Sequence, residues 1–139
     1  MQPGPFRVGC KGVSPPSLQS RDVHLSVPAR PDYLVLARLA LSAICRLAPL
    51  EHAEVADLKL AITEAASGFV ADGQATDAVV GFEFHLHDDR LEMRLDGARV
   101  DTPADEQELS RAIVDATVDE FELRDGHAKL VKRFADDAA

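Results

Sequence analysis

From 139 residues a chain can build one hydrophobic core, burying roughly two-thirds of the surface its unfolded form exposes, and it is too short for two. The 46% hydrophobic content is spread among charges, and no apolar run approaches the ~18 residues of a membrane span, so a membrane home is not expected. Acidic residues outnumber basic ones 24 to 15, and the formal charge of −9 repels a phosphate backbone, which argues against nucleic acid as a direct partner.

The first twenty residues, MQPGPFRVGCKGVSPPSLQS, hold half of the prolines and three of the eight glycines without strand or helix period, and are expected to form a flexible tail. One folded domain is expected over residues 21–139. Val23, Leu25 and Val27 alternate with His24 and Ser26 as in a strand. After PARP, with Pro31 suited to a first helical turn, Leu34, Ala37, Leu41, Ile44, Cys45 and Ala48 recur at helical spacing. APLEH interrupts, and a second helix follows on Val55, Leu58, Ile62, Ala65 and Phe69, with Asp72-Gly73 as its stop.

Val80, Phe82, Phe84 and Leu86, then Leu91, Met93 and Leu95, describe a hairpin turning at Asp88-Asp89. Thr102-Pro103-Ala104-Asp105 reads as a helix start, with Leu109, Ala112, Ile113 and Ala116 as the apolar stripe. EFELRDGHAKLVKRF is a second hairpin around Asp125-Gly126, a dipeptide suited to positive φ.

The element order is thus β-α-α-β-β-α-β-β. Glu83, His85, His87, Arg90, Glu92, Arg94, Glu120, Glu122 and Arg124 share the second face of the strands, so that face is expected to be wet and the other covered by all three helices. The expected fold is an α+β two-layer sandwich, with three helices on one face of a mixed, largely antiparallel sheet.

On the second helix Asp57, Ala61, Glu64, Gly68 and Ala71 fall on one narrow stripe. Two carboxylates among small residues leave room for a ligand to approach, with Glu64 placed to accept a proton or meet a cation. The same stripe is equally what close packing against another helix would need. His85-x-His87 reads as a solvated pair rather than a metal site, and Lys129, Lys132 and Arg133 as a solvated strand edge. Cys45 reads as a core thiol. Reduced thiols and the lack of a secretory signal point to the cytoplasm.

The stretch LSVPARPDYLVLARLALSAICRLAPLEHAEVADLKLAITEA, with VDEFELRDGHAKLVKRF near the end, resembles the bacterial anti-sigma factor serine kinases, which have the fold of the gyrase and histidine-kinase type of ATPase. The likeness covers Val23 to Phe134. It implies a homodimer that binds a sigma factor and, with Mg-ATP, phosphorylates a serine of an anti-anti-sigma protein. The family's helix reads Glu-x-x-x-Asn, the glutamate a general base and the asparagine a magnesium ligand. Glu64 matches the first position and Gly68 replaces the second, so no metal ligand is expected there.

The family's Asp-x-Gly-x-Gly, whose aspartate reads adenine, falls near RLDGARVDTP, where only Asp96-Gly97 remains. Its later phosphate-binding Gly-x-Gly aligns on Glu108-Leu109-Ser110, and Glu108 places negative charge where phosphate should sit. The resemblance therefore implies an anti-sigma-like regulator that holds a sigma factor or an anti-anti-sigma protein, with no cofactor retained. The alternative is an active kinase using ATP and Mg²⁺, with Glu64 as base and Asp57, Asp96 and Gly97 forming the nucleotide pocket. A third reading leaves the pocket to another small ligand or to nothing.

Overall fold

The alternation at the start of the folded region forms β1, Arg21–Pro28, which turns Val27 into the core. In this computed structural model residues 21–71 and 77–135 are described; the expected tail over residues 1–20 and the Asp72-Gly73 helix stop lie outside them. Pro31 opens a short 3-10 turn, Pro31–Tyr33, where its fixed φ suits the first helical position. Helix α1, Leu34–Cys45, follows and buries Leu34, Ala37, Leu41, Ile44 and Cys45, the expected stripe. Burial pushes the Cys45 thiol up to about 11, with the Lys59 charge pulling the other way, so it remains a protonated core group.

Helix α2, His52–Ala66, starts where the Glu54 carboxylate accepts the Glu51 backbone N–H at 2.9 Å. It ends earlier than its apolar period suggests. The Ser67 hydroxyl donates to the Glu64 carbonyl at 2.6 Å, and the Ser67 N–H reaches the Thr63 carbonyl at 3.0 Å. These bonds close the last turn, and Gly68, a poor helix former, lies in the turn beyond rather than on a helical stripe. Phe69 and Val70 stay buried after the helix has stopped.

Strands β2, Val79–Leu86, and β3, Arg90–Asp96, form the first hairpin, closed by the His87 N–H donating to the Arg90 carbonyl at 2.9 Å. Helix α3, Ala104–Thr117, leads to β4, Glu120–Arg124, and β5, His127–Arg133. The order is β1-β2-β3-β5-β4, and every pairing among the described strands is antiparallel, so the expected mixed sheet is antiparallel throughout.

Because β5 pairs with both β3 and β4, it is an inner strand. Lys129, Lys132 and Arg133 therefore do not form a solvated edge. Lys129 Nζ lies 3.9 Å from Glu92, Lys132 Nζ lies 3.6 Å from Glu54 of α2, and Arg133 pairs with Glu120.

The core fills the space between the sheet and all three helices. Phe82, Phe84, Leu91, Met93, Leu95 and Leu130 from the strands meet Leu41, Leu58, Ile62 and Val114 from the helices, each at 1% exposure or less. Burying each such side chain stabilises the fold by about 1.5–3 kcal/mol. No described helix is long and apolar enough to cross a membrane.

Helix α3 departs from its expected face. Val114 is its buried residue, whereas Leu109 is 62% exposed and Ala112 and Ala116 face solvent. Leu109 and Val114 point about 140° apart on a helix. The turn toward the core also brings Ser110 inward, since α3 packs along α2 and spans a cavity instead of lying flat on the sheet. The helix N-cap is Pro103, one residue after the expected Thr102, with Asp105 accepting the Glu106 N–H at 2.9 Å.

The open face of the sheet is an ion-pair network. Glu92 departs from the expected wet face: it is only 7% exposed, with Arg94 Nη2 at 2.6 Å. Burial pushes its carboxyl up, but the Arg94 hydrogen bond and the charges of Arg94 and Lys129 outweigh that and hold it below the usual range. His85 is held on both ring nitrogens, Nδ1 at 2.9 Å from Asp22 and Nε2 at 2.9 Å from Glu83, so it is not half of a solvated pair. Burial draws its pKa down, yet the hydrogen bonds and charges of Asp22 and Glu83 prevail and raise it above the ordinary value.

A raised histidine pKa means that the folded state binds the proton more tightly. The stability it contributes is complete below the unfolded value and is lost as pH rises through the folded one. Urea denaturation of the parent and His85→Gln should therefore show a stability gap that is largest below the ordinary histidine value and shrinks as pH rises above it; a constant gap would refute the network. In the Asp125-Gly126 turn only Gly126 takes positive φ, at 76°. Gly126→Ala should cost about 1–2 kcal/mol in the same assay, the strain of an L-residue held in that region.

Candidate functional site

Where α2 ends, α3 passes alongside and the β4–β5 hairpin turns, a cavity of about 400 Å³ opens. Its geometry follows from the early stop of α2. Glu64, in the last turn, faces the cavity, and its Oε1 accepts the Ser110 hydroxyl of α3 at 2.9 Å. That bond joins the two helices across the site.

Beyond the helix end, Gly68 lies on the same wall. Its carbonyl accepts the Val100 N–H at 2.9 Å, which pins the loop after β3 against it. The neighbouring Arg99 side chain crosses the glycine, with Nε 3.8 Å from the position a Cβ would take.

Three guanidinium groups line the cavity, Arg99, Arg111 and Arg124, facing three carboxylates, Glu64, Glu106 and Glu108. Arg111 is set over the Phe121 ring at 5.4 Å, and Arg124 Nη2 donates to Glu122 at 2.7 Å. His127, also on the wall, is held through Nδ1 by Asp96 at 2.9 Å.

Of the residues expected from sequence, Glu64 and Gly68 meet at this cavity. Asp57 is exposed on α2 and does not line it, while Ala61 from the same stripe is fully buried. Asp96 touches the site only through His127. Gly97 lies outside the lining, where a Cβ would come within 3.5 Å of the Phe69 ring.

The Glu108-Leu109-Ser110 segment is not at a helix start, because α3 begins at Ala104 and the segment lies within it. Its backbone amides follow the helix, and its contribution to the cavity is through the Glu108 and Ser110 side chains. Arg99, Arg111 and Arg124 were missed in the sequence. They have no shared spacing, and only the folding of the loop after β3, of α3 and of β4 toward one point groups them.

Magnesium does not fit the arrangement. Gly68 offers no side-chain oxygen, and the group beside it is a guanidinium, so an added divalent cation would face a fixed positive charge. Among the described residues no cluster of three or more His, Cys, Asp and Glu could hold a metal ion.

The fold defines the class: an α+β domain with the architecture of an RsbW domain. The crystal structure of the RsbU and RsbW domains of Rv1364c from Mycobacterium tuberculosis superposes with a TM-score of 0.59 at 19% identity, over 81% of this chain and 32% of that one. In sequence the chain has RsbW proteins as homologues. It is 34% identical over 91 residues to serine-protein kinase RsbW of Listeria innocua, covering 63% of this chain and 58% of the relative. Against serine-protein kinase RsbW of Bacillus subtilis it is 30% identical over 103 residues, covering 71% and 64%. The chain thus spans 58% to 64% of the length of these two relatives. No protein-family profile matches it.

A hydrogen bond from a hydroxyl to a carboxylate contributes about 1.5–3 kcal/mol. Ser110→Ala and Glu64→Ala should each destabilise the chain, and the double variant should cost clearly less than their sum, by about 1 kcal/mol or more of coupling. Strict additivity in chemical denaturation would mean that the two side chains do not act as a pair.

Proposed function

We propose that the chain is an anti-sigma-factor-like regulator that binds a sigma factor, an anti-anti-sigma protein or both, with kinase turnover weakened or lost. Similarity to RsbW serine-protein kinases supports the first half of this reading. The observation that carries the second is the Arg99 side chain lying over Gly68, at the position where the related kinases would place their magnesium ligand. Phosphoryl transfer depends on metal ions to bridge the phosphates and neutralise the developing charge. A site without the ligand and with a guanidinium beside it is poorly equipped for that step.

Glu64 is the candidate base in the alternative reading, an active kinase that phosphorylates an anti-anti-sigma serine. The proton-accepting oxygen is within reach of a hydroxyl, since Ser110 already donates to it at 2.9 Å. That contact supports the carboxylate's capacity for the role and also occupies it with a residue of the same chain. A homodimer and a cytoplasmic setting complete the proposal, in line with the family resemblance.

The test is to mix the purified chain with the sigma factors and anti-anti-sigma proteins of its own organism, with and without Mg-ATP. Stable complexes with at least one of them, and no phosphoserine on the anti-anti-sigma protein, are expected. Stoichiometric phosphorylation that Glu64→Gln abolishes would establish the kinase instead. Failure to bind every candidate would remove the regulatory assignment.

A further inference from the structure

Among the described strands β4 is an edge of the sheet, and its backbone is half used. The Val131 carbonyl accepts the Asp119 N–H at 2.9 Å, and the Gly126 carbonyl accepts the Gly97 N–H at 3.2 Å. Odd-numbered positions of β5 therefore turn their backbone groups toward β4, and even-numbered ones turn toward β3. In the observed register those odd positions stand opposite Glu120, Glu122 and Arg124, which bond to β5. Phe121 and Leu123 aim their N–H and C=O groups outward, and among the described residues no partner meets them.

The strand that fits this edge is β4 of a second copy. In an antiparallel pairing centred on Glu122, Phe121 of each copy lies opposite Leu123 of the other. These are the positions with free backbone groups, so each such pair exchanges both of its hydrogen bonds. Phe121 and Leu123 lie opposite Leu130 and Ala128 on the core side of the sheet, yet both remain only partly buried because the layer ends there. The pairing carries that layer on into the second copy. A groove between α3 and β4, bordered by Arg111, Ala112 and Phe121, receives Leu123 of the second copy.

The charges on the open face select the same register. Glu120 falls opposite Arg124 of the second copy, and the two-fold axis makes that contact twice. Sliding by two residues one way sets Glu120 against Glu122 of the second copy, a like-charge pair that disfavours the shift. Sliding the other way takes Glu120 past the end of the opposing strand. One repulsion remains in the centred register, since Glu122 meets its own counterpart on the axis; in each copy Arg124 Nη2 donates to it at 2.7 Å. An edge built in this way admits one partner and turns others away.

We infer that two copies of this chain join through their β4 strands, antiparallel about Glu122, into one continuous sheet. The inference gives the homodimer of the proposed function its interface and rests on that reading.

Sedimentation velocity of the full chain across a concentration series tests it. The parent should show a monomer–dimer equilibrium. Glu120→Arg sets two arginines against each other at both ends of the interface, and Arg124→Glu sets two glutamates there. Each variant alone should weaken association about tenfold or more. An equal mixture of the two variants places arginine opposite glutamate at both ends, and should dimerise within about threefold of the parent. Glu122→Gln, which removes the repulsion on the axis, should tighten the parent dimer by about threefold, and serves if a charge-reversed variant does not fold.

A parent dimer that none of these substitutions moves, or variants that weaken association and are not rescued by mixing, would place the interface elsewhere and overturn the inference while leaving the homodimer standing. A parent that stays monomeric up to the highest concentration reached would overturn both.

Discussion

The antiparallel pairing of β5 with β3 organises everything around the site. From Asp96↔His127 to Arg90↔Arg133, this register places the last strand inside the sheet and the preceding β4 outside it. Leu130 then faces the core beside Met93, and the Asp125-Gly126 turn is carried to the end of the sheet where α2 stops. Arg124 and His127 reach the cavity because they flank that turn. Without this pairing the hairpin would be an isolated two-stranded ribbon, marginal by itself in water.

The cavity in turn depends on a helix that stops. Had α2 continued through its apolar period, Gly68 would have been one more helical residue and its carbonyl committed within the helix. Ser67 ends the helix by bonding back to Glu64 and Thr63, which frees the Gly68 carbonyl for Val100 and brings the loop after β3 into contact. One local competition for backbone hydrogen bonds thus brings Arg99 next to Gly68. The Ser110 bond then joins α3 to this arrangement, at the cost of leaving Leu109 exposed.

Much of the fold was legible in the residues. The alternation of Val80, Phe82, Phe84 and Leu86 and the helical spacing of Leu34, Ala37, Leu41 and Ile44 each matched a buried face, because a side-chain period is a property of the local backbone. The stripe on α3 was misread, since Leu109, Ala112 and Ile113 offer as good a period as Ser110, Val114 and Thr117. A short amphipathic segment does not state how far it lies from the sheet. Of the candidate residues read from the sequence, Glu64 and Gly68 line the cavity, whereas Asp57, Asp96 and Gly97 do not.

The sequence by itself determined the order of elements, the inward face of each strand, and the proline and glycine punctuation. All of these follow from backbone dihedral preferences and the spacing of apolar side chains. Only the tertiary structure decided that β5 is internal, that Glu92 is enclosed by Arg94 and Lys129, and that three arginines from three separate segments border one cavity. These are contacts between residues far apart in the chain, fixed by sheet register and helix placement, and no local pattern encodes them.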